Sequence, residues 1–421
     1  MTQHPSSEII TVDLTAMANG GRALGRVDGQ VVFVPYTIPG ERVEARVVDS
    51  RGRALFAEGV TLLDASADRV YPECPHFGPG RCGRCQWQHI QYDAQLLLKQ
   101  DVLADQLMRI GEMDEATLER TLRPIIRSPS EWQYASSLSF TITPDGLALP
   151  SLDNDRQVVI ETCLILHPEL QEVLSKVQFE PDAKIERVRL VRGTEGAPMM
   201  VLSVIDEADA PELELDFTAS VNLILPDLTP VNLIGDLHVT VMVNERPYRV
   251  TAGSAIRANY EQLDALVDAV EAGLALQGGE FVLELYCGVG LFAACAAKLG
   301  AQVTAVESYP SAAADAAQNT ADLGVTVIQD TVENVLQSSA ASTPDAVIVD
   351  PPSDGLSLTV MDSLGQQLRP RRIVYVSSDA ATLGRDIKRL VRYGYAVDSV
   401  QPIDLSPQTY YLDSVVTLVR D

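Results

Sequence analysis

The stretch FVLELYCGVGLFAACAAKLG, residues 281–300, decides the fold of the C-terminal part of the chain. It begins with an apolar run typical of a buried strand and ends with apolar residues at helical spacing. The turn between them contains Gly288 and Gly290, so the backbone can approach a ligand and the first N–H groups of the helix can face it. We therefore predict a strand, a ligand-binding turn and a helix.

Carboxylates end the predicted strands that follow. AQVTAVE ends in Glu307, about 20 residues beyond the glycine turn, where an acid is placed to accept hydrogen bonds from ribose hydroxyls. VTVIQD ends in Asp330, which we expect near an adenine, and DAVIVDPP places Asp350 before a rigid Pro-Pro pair. Strands alternate with helices in this part of the chain, which predicts an α/β fold with a Rossmann-like, doubly wound parallel sheet.

The N-terminal half follows a different pattern. Residues 8–63 alternate apolar and polar side chains between glycine turns, which predicts an all-β, OB-like barrel of short antiparallel strands. The segment IQYDAQLLLKQDVLADQLMRIG predicts a helix over about 91–112, which we expect to pack on the C-terminal domain. The predicted domains are a barrel over 1–66, a mixed central domain over 67–252 and a C-terminal α/β domain over 253–421.

The composition is that of a globular protein, with 46% hydrophobic residues and no apolar run long enough to span a membrane. The N-terminal residues lack the charged and apolar segments of a secretory signal, so we expect a cytoplasmic protein without membrane contact. The formal net charge of −26 repels polyanions, so a nucleic-acid site would need a local basic patch. The candidate patches, each of which could equally be a solvated surface, are 42–53, 184–192 and 369–372.

Six cysteines form two groups in the sequence. They are Cys74, Cys82 and Cys85 in one glycine-rich loop with Cys163 far downstream, and Cys287 with Cys295 in the predicted α/β domain. In a chain expected in the cytosol, a tight thiol cluster binds metal more often than it forms disulfides. Zinc, an iron–sulfur cluster and free thiols all stay open, and three close cysteines with one distant partner favour a [4Fe-4S] cluster over zinc.

Together these motifs resemble, over nearly the whole chain, those of the RNA 5-methyluridine methyltransferases that use S-adenosylmethionine. The resemblance implies a TRAM barrel, a central domain with a [4Fe-4S] cluster and a Rossmann-like methyltransferase domain. It further implies an rRNA or tRNA partner, and we expect a monomer. The cluster ligands implied by the resemblance are Cys74, Cys82, Cys85 and Cys163.

The methyl-donor motifs of that family are largely present. Its F/Y-C-G-x-G-N-F motif matches residues 286–292, with Leu291 in place of Asn, and its F-x-Q-x-N motif has Arg257 in place of Gln. A positive charge at Arg257 should weaken binding of a cationic sulfonium unless a carboxylate pairs it. The donor-binding residues that the resemblance implies are Arg257, Tyr286, Gly288, Gly290, Leu291, Glu307, Asp330 and Asp350.

The family's reactive residues are altered. Ser378 stands at the position of the nucleophilic Cys, Asp413 at that of the basic Glu, and Ser353 at that of an Arg that follows Asp-Pro-Pro. A serine hydroxyl needs an adjacent base, usually His, and all five histidines precede the predicted α/β domain. We therefore expect uracil C5 methylation by the family route to be absent or very slow, and expect Ser377 or Ser378 to cap the helix that starts near Ala380.

Three functions remain open. The chain is an active RNA methyltransferase with changed chemistry or target, a non-catalytic RNA-binding protein that keeps the fold and cluster, or a nicotinamide-dependent oxidoreductase. The last rests on Gly288-x-Gly290-x-x-Ala293, which satisfies the loose dinucleotide fingerprint but leaves the barrel and the Asp-Pro-Pro run unexplained. A glycine turn that serves only close packing is the structural alternative.

The cysteine pattern yields a testable prediction. Protein purified without oxygen should be brown, with broad visible absorbance from thiolate-to-iron charge transfer, and should lose its colour in air. Iron and sulfide analysis together with the absorption spectrum would check this. Colourless protein that holds one zinc ion per chain would contradict it.

Overall fold

The structure, a computed structural model, describes residues 8–180, 184–204, 206, 216–338 and 343–420. Residues 1–7, at the start of the segment in which no secretory signal was found, lie outside the described residues. The chain forms two compact units: a barrel unit of residues 1–106, 149–158 and 406–411, and a sheet unit of the remaining residues. The predicted division into three domains stays a prediction. Within the described ranges, no helix is long and apolar enough to cross a membrane.

The barrel unit contains the predicted barrel. Its strands are β1 (Ile9–Met17), β2 (Ala23–Val27), β3 (Gln30–Val34), β4 (Arg42–Arg51) and β5 (Ala54–Asp64), which close in the order β1-β2-β3-β5-β4. Every second side chain of β1 near Val12 and Leu14 points into the core, as the alternation predicted. Helix α1 (Tyr92–Arg109) packs against the same core through Ala94 and Val102. Its expected packing on the C-terminal domain stays a prediction.

A buried carboxylate joins the barrel to the segment that follows it. Glu41 accepts hydrogen bonds from the backbone N–H of Ile38 at 2.9 Å and from Arg69 Nε at 2.6 Å. Burial alone would raise the pKa of the Glu41 carboxyl, but the hydrogen bonds and charge of Arg69 hold it below its ordinary value. The carboxylate is therefore ionised at neutral pH and fixes Arg69 against the barrel.

The region between the barrel and the C-terminal α/β sheet is rich in strands, as predicted. Its elements are α2 (Glu115–Thr121), β6 (Ser137–Thr143), β7 (Gly146–Pro150), β8 (Gln157–Val159), α3 (Pro168–Lys176), β9 (Ile185–Val191), β10 (Met199–Val204), β11 (Ser220–Ile224), β12 (Pro230–Ile234), β13 (His238–Val243) and β14 (Arg246–Thr251). Seven strands form one sheet in the order β12-β11-β10-β9-β6-β7-β8, and β13 and β14 form a separate hairpin.

The C-terminal part is an α/β sheet with helices between its strands. Its elements are α4 (Leu263–Leu274), β15 (Phe281–Leu285), α5 (Leu291–Lys298), β16 (Gln302–Glu307), α6 (Pro310–Asn319), β17 (Thr326–Gln329), α7 (Val332–Ser338), β18 (Ala346–Val349), α8 (Leu358–Asp362), β19 (Arg372–Ser377), α9 (Ala380–Arg392), β20 (Ala396–Ile403) and β21 (Asp413–Val419). The sheet order is β17-β16-β15-β18-β19-β21-β20. The predicted doubly wound α/β fold is thereby confirmed.

One strand departs from the prediction of a parallel sheet. Strands β15 to β19 run parallel, but β21 lies between β19 and β20 and is antiparallel to both. The dinucleotide-binding sheet has six strands in the order 3-2-1-4-5-6, without an inserted seventh strand. The sheet therefore does not favour the nicotinamide-dependent alternative.

The strand order also locates the ligand-binding edge. The chain leaves β15 toward β16 on one side and returns to pair with β18 on the other, which makes β15 the point where the winding reverses. In open α/β sheets, ligands bind at the carboxyl ends of the strands at this point. The predicted turn and the predicted strand-end carboxylates lie at this edge.

Candidate functional site

The turn after β15 is held in a tight, partly left-handed conformation. Gly290 has φ +82°, and a Cβ there would lie 3.1 Å from Ala316 Cα, so the close approach of the turn to α6 requires glycine. Tyr286 has φ +65°, which is rare for a bulky residue and costs of order 1–3 kcal/mol. The turn thus presents the first N–H groups of α5 at the sheet edge, as predicted.

A pocket opens beside this turn. Five of the predicted donor-binding residues line it, together with apolar side chains of α4 and α5. The lining residues are Ala255, Ile256, Arg257, Leu263, Leu266, Tyr286, Cys287, Gly288, Val289, Leu291, Phe292 and Asp350. The pocket therefore combines apolar side chains with the charged groups of Arg257 and Asp350.

Two predicted carboxylates lie at the strand ends but outside that lining. Glu307 accepts the N–H of Gly288 at 2.9 Å and that of Tyr309 at 2.7 Å, so it fixes the glycine turn. Each of its oxygens has a second lone pair, which can accept a hydroxyl. Asp330 is exposed and accepts the N–H of Thr331 and the side-chain amide of Asn334, both at the start of α7.

Arg257 lies between two carboxylates at the rim of the pocket. Its Nη1 and Nη2 donate to Asp350 at 2.6 and 2.7 Å, and its Nε donates to Asp413 at 2.8 Å. The exposed fractions of the Arg257, Asp350 and Asp413 side chains are only 26%, 16% and 8%. A fork-shaped guanidinium that binds one carboxylate with two bonds is the strong form of such a pair. The charge of Arg257 is therefore paired, which meets the condition that the sequence analysis left open.

The ionisation of this group follows from its burial. Burial opposes the positive charge of Arg257, but Asp350 and then Asp413 raise the pKa of Arg257 above its ordinary value. Burial raises the pKa of the Asp413 carboxyl, and Arg257 offsets part of that effect. Asp413, which the sequence placed at a base position, therefore has its Oδ1 engaged by Arg257.

A buried acid behind the turn was missed by the sequence analysis. Glu284 lies within β15, is fully buried, and neither carboxyl oxygen has a hydrogen-bond partner among the described residues. Burial, followed by the charge of Asp350, raises the pKa of Glu284 well above its ordinary value, so the group is neutral. The sequence could have indicated this buried acid, because Glu284 is the one charged residue in the apolar strand FVLEL.

The predicted cap of α9 is wrong. Asp379, with extended backbone at φ −133°, is the N-cap, and its Oδ1 accepts the N–H of Thr382 at 2.8 Å. Ser377 Oγ instead donates to the carbonyl oxygen of Asp379 at 3.0 Å, and Ser378 is exposed. Because α9 begins at Ala380, the residue directly before it, Asp379, is in the N-cap position, and its carboxylate rather than a serine hydroxyl accepts the free N–H.

Other residues that match the family motifs hold the loop after Asp350. Thr382 Oγ1 donates to the Ser353 carbonyl at 3.0 Å, and Arg385 Nη2 donates to the Asp354 carbonyl at 2.8 Å. Asp386 is buried and accepts the N–H of residue 356 at 2.8 Å. These side chains shape the loop and do not reach a reacting group.

The cysteines of the predicted cluster are divided between the two units: Cys74, Cys82 and Cys85 belong to the barrel unit and Cys163 to the sheet unit. Cys74 and Cys82 influence each other electrostatically, and burial raises the pKa of the Cys82 thiol. One buried imidazole nitrogen in their loop, His76 Nε2, has no hydrogen-bond partner in the described part of the chain. Within the described residues no three His, Cys, Asp or Glu side chains are arranged to hold a metal ion, and Cys163 belongs to the other unit. Cysteine thiolates are suitable ligands for zinc or an iron–sulfur cluster, but the [4Fe-4S] cluster stays a prediction.

Comparison with known proteins agrees with this architecture. The TRAM domain family matches residues 7–60. An uncharacterized RNA methyltransferase of Streptomyces avermitilis is 34% identical over 423 residues, covering 97% of each chain, and one of Halalkalibacterium halodurans is 28% identical over 452 residues, covering 98% of this chain and 97% of that one. The chain therefore belongs to the family of RNA methyltransferases that carry a TRAM domain.

A solved structure shares the fold over the full length. It is the tRNA (uracil-54, C5)-methyltransferase of Pyrococcus abyssi in complex with S-adenosyl-L-homocysteine, with a TM-score of 0.74 and 21% identity, covering 97% of this chain and all of that one. The predicted order of a TRAM barrel, a mixed region and a methyltransferase fold is confirmed.

The pairing of Arg257 predicts a stability effect. Arg257→Gln leaves two buried carboxylates without a cation and should lower the free energy of unfolding by ~3 kcal/mol. Neutralising the carboxylates as well, in Arg257→Gln/Asp350→Asn/Asp413→Asn, should recover much of that loss. Urea unfolding of the three proteins would measure both effects.

A matched control comes from an exposed pair of the same unit. Lys388 contacts Glu112 at 2.7 Å at the surface, where ion pairs contribute little, so Lys388→Gln should hardly change the unfolding midpoint. Equal midpoints for Arg257→Gln and Lys388→Gln would mean that the buried group does not stabilise the fold.

Proposed function

We propose that the protein binds S-adenosylmethionine and RNA on a uracil-C5 methyltransferase scaffold, but that it does not methylate uracil C5 by the covalent route of its family, or does so very slowly. The observation that carries this proposal is the engagement of Arg257 with both Asp350 and Asp413 at 2.6 to 2.8 Å. By the resemblance, Asp350 stands at a donor-binding position, Asp413 at the base position and Ser378 at the nucleophile position.

The retained parts of the site support donor binding. The glycine turn and the apolar side chains of α4 and α5 line the pocket, and the half-buried Glu307 fixes that turn from outside the lining. Adenosine-type ligands bind at this edge of α/β sheets. Two carboxylates face one guanidinium in the Arg257 group, which leaves an excess of negative charge near the pocket. A sulfonium is therefore attracted despite the arginine.

Family membership supports RNA as the substrate class. The relatives are named RNA methyltransferases, the TRAM match covers the barrel, and the solved structure of similar fold is a tRNA (uracil-54, C5)-methyltransferase. The body carries 58 acidic and 32 basic residues, so RNA binding must rest on local cations and should weaken strongly with salt.

The altered residues explain the expected loss of chemistry. Uracil C5 is a poor nucleophile until a group adds at C6, and a cysteine with pKa of about 8.5 supplies enough thiolate for this step. The Ser378 hydroxyl stays protonated, and the adjacent acid in the sequence, Asp379, caps α9. Asp413 has its Oδ1 engaged by Arg257, and its side chain is one methylene shorter than that of Glu, so it should sit back from the C5 proton.

Donor binding is tested at Glu307. Because Glu307 both fixes the turn and offers acceptors to a ribose, Glu307→Ala should weaken S-adenosylmethionine binding at least tenfold in calorimetry, a loss of about 1.4 kcal/mol. Asp398→Asn, which alters an exposed carboxylate of β20, is the matched control and should leave binding unchanged. NADH should not bind. Unchanged binding in Glu307→Ala would place the donor elsewhere.

The missing thiol is tested with RNA that contains 5-fluorouridine, which traps covalent adducts of this family's route. Wild-type protein should form no adduct, whereas Ser378→Cys should form a slow one, because the added thiol is exposed at the sheet edge. Ser377→Cys places the same group at a buried position and should remain unreactive. A strong wild-type adduct mapped to Ser378 by mass spectrometry would make the protein a serine-dependent enzyme and refute the proposal.

A further inference from the structure

A pair of stacked phenylalanines lies on the outer face of the barrel. Val32 and Val34 of β3 point into the core, so Phe33 between them points outward. Its register partner on β5 is Phe56, which precedes the inward-pointing Ala57. The two ring centroids are 5.4 Å apart with 20° between the ring planes, and both side chains are half-buried. The barrel thus presents an aromatic surface that is not part of its buried core.

The first of three arginines beside this pair is Arg51, at the end of β4. Its guanidinium carbon lies 5.1 Å from the centroid of the Phe56 ring, a distance at which a cation and an aromatic face attract each other. Arg51 Nε also donates to Asp49 at 2.9 Å, but 76% of the arginine side chain stays exposed. Because so exposed an ion pair is weak, Arg51 can turn its remaining N–H groups toward a ligand.

The other two arginines have no carboxylate partner within the part of the chain that the structure describes. Arg26 is on the same side of the sheet as the rings, because it pairs in register with Val31, two residues before Phe33. Arg53 lies in the turn between β4 and β5, and its carbonyl oxygen accepts the N–H of Val31 at 3.2 Å. Both arginines are exposed. The strands and this turn thus place three cations around the ring pair.

The charge of this surface is the reverse of that of the whole chain. Residues 23–34 and 51–56 contain three arginines and one acid, whereas the chain contains 58 acidic and 32 basic residues. A polyanion that the rest of the body repels would therefore be attracted to this face. Aromatic side chains can stack on nucleobases, and rings with nearby arginines are a common means of binding single-stranded RNA. The combination of rings and cations therefore favours an RNA strand with unstacked bases.

We propose that this face of the barrel binds a single-stranded segment of RNA. Its residues are Phe33, Phe56, Arg26, Arg51 and Arg53. Bases stack on the ring pair, and the arginines contact phosphates. Duplex RNA lacks this stacking, because its bases are already stacked on one another. The inference rests on the RNA binding proposed above and adds which surface of the barrel contacts the strand and in which form the strand is bound.

The rings are tested by comparing single-stranded RNA with a duplex of the same sequence. Phe33→Leu keeps a large apolar side chain but removes the ring, so it should weaken binding of single-stranded RNA about tenfold and leave duplex binding unchanged. Since stacking releases no counterions, the slope of the logarithm of affinity against the logarithm of salt should stay the same. Tyr71→Leu is the matched control, because Tyr71 is 92% exposed in the same unit but lies outside these strands. It should bind both RNAs as the wild type does.

The arginines are tested by the salt dependence of binding. Each phosphate contact on a single strand contributes about −0.7 to the slope, so Arg53→Gln should make the slope shallower by nearly that amount and weaken binding several-fold at low salt. Arg53→Lys should keep most of the slope. Arg42→Gln is the control, because Arg42 lies at the other end of β4 and faces Asp13 at 3.7 Å, and its slope should match the wild type. Arg53 is an exposed turn residue, so this arm is decisive even if a ring variant unfolds.

The possible results are distinct. Wild-type affinity for single-stranded RNA in both Phe33→Leu and Arg53→Gln would overturn the inference and leave the proposed function intact. Equal losses for single-stranded and duplex RNA in Phe33→Leu would overturn it as well. A wild-type dimer that becomes a monomer in Phe33→Leu, measured by analytical ultracentrifugation, would show that a second copy of the chain covers this face instead. If the wild type binds no RNA even at low salt, the proposed function and this inference fail together.

Discussion

The bond between Arg257 and its two carboxylates is the interaction on which the rest of the site depends. It joins the segment before α4, the end of β18 and the first residue of β21. Three remote parts of the chain are thus fixed at the carboxyl edge of the sheet. The same contact bears on the proposed chemistry, because it directs the Asp413 carboxylate, at the base position of the family motif, toward Arg257.

The chain keeps the family's residues that hold the scaffold but differs from the family motifs at the positions of the reactive residues. Thr382, Arg385 and Asp386 keep the loop after β18 in place, and Glu307 keeps the glycine turn in place. At the positions that the resemblance marks as reactive, the chain has Ser378 and Asp413. Under the proposed function, the scaffold residues support donor binding while the missing thiol prevents methyl transfer, so the two properties can be measured separately.

The sequence predicted those features that depend on local periodicity. The alternation of residues 8–63 predicted the barrel, and the glycine turn after an apolar run predicted the switch point of the α/β sheet. These signals are short-range, since a strand repeats every 2 residues and a helix every 3.6. They placed Glu307, Asp330 and Asp350 correctly at strand ends.

The failures depend on distances that no local pattern encodes. The antiparallel position of β21 is set by pairing with β19 across more than thirty residues. The partners of Arg257 lie 93 and 156 residues away, so the sequence could only state that a carboxylate would matter. The N-cap of α9 is Asp379, one residue after the predicted serines. The sequence pattern does not show which residue is the last extended one before a helix, so helix ends are predicted only to within a residue or two.

The most direct test of this account is the formation of 5-methyluridine itself. The purified protein would be incubated with S-adenosylmethionine and RNA from cells that lack it, and the nucleosides would be quantified by mass spectrometry alongside a measurement of bound donor. The account predicts bound donor and no more 5-methyluridine with wild-type protein than with Ser378→Ala. Abundant 5-methyluridine that disappears in Ser378→Ala would contradict it.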